Sequence, residues 1–141
     1  MINALDTPKI KWLNPKKVLG STIARMLPSS GEMLDAFVEH GLIENVTGNY
    51  SLDVYDMCRN GATWLGAHLA QIMPQVEVVE GTFMGYSHCW CVIEDLYLDM
   101  TIAQVNPEYP EFALVYSHKA EGYSEFLRFP ILKWLERATK N

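Results

Sequence analysis

Apolar and polar positions recur along this chain with two periods, the 3.6 residues of a helix and the two residues of a strand. Residues 87–101 carry the clearest extended signal. Trp90, Val92, Ile93, Tyr97 and Leu98 favour strand, and Glu94-Asp95 is the only break in the run. The pattern predicts a β-hairpin with a two-residue loop. If Ile93 pairs with Leu96, then Trp90 lies opposite Asp99 and His88 opposite Thr101. His88, Trp90, Val92, Tyr97, Asp99 and Thr101 then share one face, and Cys89, Cys91, Ile93, Leu96 and Leu98 take the other. Upstream, Cys58, Ala62, Leu65, Leu69 and Ile72 fall at steps of four, three, four and three, one stripe of an amphipathic helix over about residues 56–72. Cys58 sits in the first turn of that helix, on the side that faces the sheet.

The remaining pattern places scaffold around this pair. Residues 1–14 read as an irregular arm that packs Trp12 onto the body, between the breaks Pro8 and Pro15. Pro15 suits the first position of a helix running to about Leu27, with Val18, Leu19, Ile23, Met26 and Leu27 as its apolar side and Pro28 ending it. Ser29 and Glu32 have the spacing of a capping box; the helix they open presents Met33, Leu34, Phe37 and Val38 and ends at Gly41. Residues 42–55 read as a loop. Pro74 stops the cysteine helix, residues 76–83 form a strand, and Gly85 and Tyr86 turn into the hairpin, so three consecutive antiparallel strands meet the helix. Residues 106–110 form a loop that could rim a cleft, and residues 112–116 a further strand. Pro130 opens a last helix, Ile131 to Lys140, facing the core through Ile131, Leu132, Leu135 and Ala138. The expected class is α+β, an antiparallel sheet against a central helix that bears the cysteine at its N-terminus. A chain of 141 residues fits one domain, with helices in 15–41, a core in 55–105 and a closing strand and helix in 112–140.

Composition narrows the partners. Hydrophobic content of 49%, with four Trp and seven Tyr, suffices for a core and argues against disorder. The formal charge is −6, and the basic residues are scattered apart from Lys9, Lys11, Lys16 and Lys17, so no basic face offers itself to nucleic acid. There is no apolar run long enough for a membrane span, and no basic start followed by an apolar stretch, so the expected location is cytoplasmic. Three cysteines, an odd number, read as thiols rather than a disulfide framework.

The two predicted elements bring chemistry together. Asp99 is a diagonal cross-strand neighbour of His88, with backbones roughly 7–8 Å apart, so an imidazole and a carboxylate converge on one sheet face as base and orienter. Cys58 can supply the nucleophile. Unpaired N–H groups and the positive end of the helix dipole favour a thiolate there, and a neighbouring imidazolium lowers its pKa further.

The order Cys58, then His88-x-Trp90, then Leu98-Asp99-x-Thr101-x-x-Gln104, over roughly residues 55–105, resembles the papain-like transglutaminase superfamily. Its members read Cys at a helix start, His-x-Trp on a strand and Asp-Pro-Thr on the next. Met100 stands where that family has Pro, which alters the exit of the strand but leaves the Asp. The resemblance implies a papain-like (transglutaminase-like) fold and a Cys-His-Asp triad performing acyl transfer through a thioester, with no cofactor. It also implies a peptide or protein substrate. The superfamily holds proteases, glutamine deamidases, N-acetyltransferases and inactive members alike.

Other readings of the same residues stand beside this one. Taken singly, a cysteine on a helix stripe is core filler, a strand histidine bonds backbone, and Asp99 caps a turn; the three together, in this order, favour the triad. Asn49 is a candidate oxyanion donor, or a turn residue beside Gly48. Trp90 packs under His88 as a wall of the cleft, and Gln104 either lines the site or ends the strand. Cys58, His88, Cys89 and Cys91 could together hold zinc, although alternation turns Cys89 and Cys91 away from the face of His88. An inactive protein-binding module of the same fold is the remaining rival.

Overall fold

A computed structural model describes residues 8–139; the first seven residues of the predicted arm, and Lys140 of the predicted last helix, lie outside them. Five strands, β1 (Glu77–Phe83), β2 (Tyr86–Ile93), β3 (Leu96–Asp99), β4 (Ala113–Tyr116) and β5 (Tyr123–Pro130), form an antiparallel sheet in the order β4-β3-β2-β1-β5. Among the described residues six α-helices accompany it: α1 (Pro15–Leu19), α2 (Ser21–Met26), α3 (Ser30–Glu39), α4 (Tyr50–Asp53), α5 (Cys58–Ala70) and α6 (Ile131–Thr139). The class is α+β, as the pattern predicted.

Alternation divides the sheet between two cores. Cys89, Cys91, Ile93, Leu96 and Leu98 lie under α5 with its Ala62, Leu65 and Leu69. Trp90, Val92 and Tyr97 face the other way, where Ile10 and Trp12 of the arm cover them. Leu13 N–H donates to the Leu114 carbonyl at 2.7 Å and anchors that arm. Helix α5 approaches the sheet closely because two of its residues have no side chain. A Cβ on Gly61 would stand 2.5 Å from the Thr101 methyl, and one on Gly66 2.7 Å from Ile131. Across the sheet, a Cβ on Gly81 would overlap the Ser124 carbonyl where β1 and β5 shift register, between Glu80 and Gly81.

Several expectations need correction. The helix expected from Pro15 to Leu27 is two short helices, because Gly20 adopts φ +87°, a conformation that glycine takes without steric cost. Met26, expected in its apolar face, is consequently exposed. The segment expected as loop at 42–55 contains α4, a single turn capped by Asn49. Strand β5 was not anticipated: it is an edge strand, exposed along most of its length, and so lacks the alternation of a half-buried one. Helix α6 begins at Ile131, directly after Pro130, as expected, but Pro130 also ends β5, and α6 buries Ile131 and Trp134 while Leu132 is exposed. The capping box of α3, by contrast, is complete, with Ser29 Oγ accepting from Glu32 N–H and Glu32 from Ser29 N–H, both at 3.1 Å. Among the described residues no helix is long and apolar enough to cross a membrane.

Gly61→Ala tests the close approach of α5. Alanine gains about 1 kcal/mol of helix propensity, but overpacking costs about 1–3 kcal/mol, and the neighbour is a stiff, buried threonine methyl. Net destabilisation is expected, read as a lower midpoint in urea unfolding.

Candidate active site

The hairpin has the predicted register. Ile93 pairs with Leu96, Val92 with Tyr97 and Cys91 with Leu98, and Glu94 takes φ +54° in the two-residue loop. The β2–β3 pairs end at Cys91 and Leu98, one residue short of Trp90 and Asp99. His88 Nε2 lies 2.6 Å from Asp99 Oδ2, with both side chains almost wholly buried. Asp99 accepts further bonds. Thr101 N–H donates to Oδ1 at 2.9 Å and the Tyr123 hydroxyl to Oδ2 at 2.9 Å. Tyr123 comes from the unanticipated β5, which is why no sequence signal pointed to it; burial first, then the Asp99 charge, holds its hydroxyl well above the usual range, so it remains a donor.

Cys58 is the first residue of α5. A hydrogen bond from the Cys89 side chain, opposed by burial and reinforced by the hydrogen bond and charge of His88, brings its thiol down to about 5. Burial alone would discharge His88, but the Asp99 charge and hydrogen bond, with Cys58 adding to them, carry the imidazole up to about 10. With Nε2 committed to Asp99, Nδ1 is the nitrogen left for the sulfur. Cys89 lies on the α5 face as alternation requires, yet meets Cys58 there; its own thiol is raised by that same contact, then by burial. Cys91 is raised by burial, then by Asp99, and donates to the Ala62 carbonyl at 3.3 Å. All three cysteines are free.

The remaining candidates divide. Gln104 belongs to the site: its Oε1 accepts from Asp56 N–H at 2.8 Å, and its Nε2 stands 3.4 Å from His88 Nδ1. Trp90 is fully buried, its ring centroid 6.0 Å from that of His88 and inclined by 26°, so it is a floor beneath the histidine. Asn49 has another employment, its Oδ1 capping α4 by accepting from Leu52 N–H at 3.3 Å. Among the described residues no three His, Cys, Asp or Glu side chains are disposed to hold a metal ion.

A cleft of about 480 Å³ opens over the site, lined by Tyr55, Asp56, Phe83, Tyr86, His88 and Gln104 among others. Cys58 does not line it directly; His88, whose imidazole helps to lower the Cys58 thiol, does. Tyr55 and Asp56 carried no sequence signal, because the turn that presents them depends on a left-handed Asp56, φ +60°; Tyr86, expected in the turn into the hairpin, is the first residue of β2. Compared with protein-family models, with curated proteins and with solved structures, the chain finds no match.

The two shifts set a pH dependence of stability. A thiol lowered from 9.0 to about 5 contributes stability in full above 9.0 and loses it as pH falls through 5. An imidazole raised from 6.5 to about 10 contributes in full below 6.5 and loses it as pH rises through 10. The stability advantage over Cys58→Ser should therefore grow from pH 5 upward and shrink again near pH 10, where His88 gives up its proton. Urea unfolding of both proteins across that range checks it.

Proposed function

We propose that this protein is a cysteine-dependent acyl-transfer enzyme that hydrolyses an amide or peptide bond through Cys58, His88 and Asp99. The observation that carries the reading is the buried His88 Nε2–Asp99 Oδ2 contact of 2.6 Å beside a cysteine at the first position of α5, whose thiol that imidazole helps to lower. Such a pair rests as thiolate and imidazolium. The thiolate adds to the amide carbonyl, the C–N bond breaks as His88 protonates the leaving amine, and water that yields a proton to His88 hydrolyses the thioester and returns the thiolate. Asp99 fixes the ring and stabilises its cation. The N–H groups at the tip of α5 and the Gln104 amide, oriented by Asp56, serve as oxyanion donors. Nothing in this chemistry calls for a cofactor. The order of Cys58, His88-x-Trp90 and Asp99-x-Thr101 along a helix tip and two strands agrees with a papain-like, transglutaminase-like fold. Free thiols suit a reducing, cytoplasmic setting, and the cleft suits a peptide or protein substrate.

One observation favours a second reading, a non-catalytic binding module of the same fold: the cleft is lined by His88 but not by Cys58. Alkylation separates the two. An enzyme should show iodoacetamide labelling of Cys58 with an inflection near pH 5, with Cys89 and Cys91 unlabelled in the folded protein. His88→Ala should move that inflection up toward the ordinary thiol value of about 8.5. Slow labelling of Cys58 with an inflection near that ordinary value in the unmodified protein would leave only the binding module.

A further inference from the structure

We propose that Asp56 makes the cleft selective for peptides that carry a cationic side chain, lysine or arginine, beside the carbonyl presented to Cys58. This rests on the reading of Cys58 as nucleophile and deepens it to a substrate class. Asp56 lines the cleft two residues before the thiol, and of the residues lining it Asp56 alone bears a carboxylate and none is Lys or Arg. Its backbone is committed, with the N–H donated to Gln104 at 2.8 Å, whereas its exposed carboxylate has no hydrogen-bond or ion-pair partner among the described residues. The residue is held at φ +60°, a conformation that costs an L-residue energy and that Asp tolerates better than most.

Two rings complete the environment. Tyr55 and Tyr86, both in the lining, are 69% and 52% exposed, so their rings are open to a ligand. A carboxylate with exposed aromatic faces beside it favours an ammonium or guanidinium by charge and by cation–π attraction. The imidazolium of His88 does not oppose this, because Asp99 and the Cys58 thiolate face it. A net charge of −6 over the whole chain favours the approach of a basic partner from further away.

Charged thiol reagents read this selectivity without a known substrate. At pH 7 and low ionic strength, Cys58 should react faster with trimethylammonioethyl methanethiosulfonate than with sulfonatoethyl methanethiosulfonate, with Cys58→Ser confirming the site of reaction. Asp56→Asn, which keeps a residue tolerant of positive φ, should lower that cation-to-anion rate ratio roughly tenfold, as expected for one unit charge a few ångströms away. The ratio in the unmodified protein should also decay with added salt. A ratio unchanged by Asp56→Asn overturns the proposal. Independently of any variant, N-acetyl-lysine methylamide should protect Cys58 from iodoacetamide and N-acetyl-norleucine methylamide should not; equal protection by the two also overturns it. Failure of the nucleophile reading is distinct, since it appears as an alkylation inflection near the ordinary thiol value while the charge ratio stays measurable.

Discussion

Burying the Asp99 carboxylate is the constraint on which the rest of this structure depends. An ionised carboxylate removed from water without partners costs several kcal/mol or more, so the chain must deliver donors to it from wherever they come. His88 arrives from β2, Thr101 N–H from the strand exit, and the Tyr123 hydroxyl from β5 at the far side of β1. Three strands are thereby tied to one pair of oxygen atoms. The hairpin register, the placement of β5 beyond β1 and the Gly81 approach that permits it are all conditions for that satisfaction.

The same carboxylate sorts the histidine and the thiols. An imidazole as deeply buried as His88 would ordinarily be neutral; Asp99 reverses this, and the resulting cation then favours a thiolate at Cys58. Cys89 and Cys91 lie within a few residues of the same chemistry yet move in the opposite direction, Cys89 through its interaction with Cys58 and through burial, and Cys91 because it is enclosed and feels the negative charge of Asp99. The hydrogen bond of Cys89 and the base that this one anion raises together lower a single thiol. The helix tip adds to the effect, since the first N–H groups of α5 have no carbonyl partners within the helix.

What was legible in the sequence follows the strength of local signals. A two-residue polar break between apolar runs sets the hairpin, and the hairpin sets the faces, so the meeting of His88 with Asp99 could be read without coordinates. The stripe of α5 and the capping box of α3 were legible for the same reason: each is a rule about neighbours three or four residues apart. Gly20, Asp56 and β5 were not. The first two depend on positive φ, which composition allows but does not demand, and β5 is an exposed edge strand whose place beside β1 comes from long-range packing. Tyr123 was lost with it. Asn49 was left between a donor to the site and a turn residue because a turn-former before a helix looks the same whether it caps the helix or faces a cleft; its Oδ1 caps α4.

Asp56 links the parts that local rules missed. Its left-handed backbone turns the chain from the end of α4 into the start of α5 and at the same time points its N–H at Gln104, which fixes which end of that amide faces His88. An amide held by only one bond could rotate and present either its oxygen or its nitrogen; with Oε1 engaged, Nε2 is the atom left toward the cleft. The turn residue just before the nucleophile's helix therefore also orients the candidate donor. A displacement of this turn would move both together, so their relative geometry is less sensitive to motion of the surrounding loops than either position alone. The cost is a strained residue of order 1–3 kcal/mol, modest beside the several kcal/mol at stake in the buried carboxylate, and the fold sustains it because the close packing at Gly61 holds the first turns of α5 against Thr101, just beyond the strand that bears Asp99.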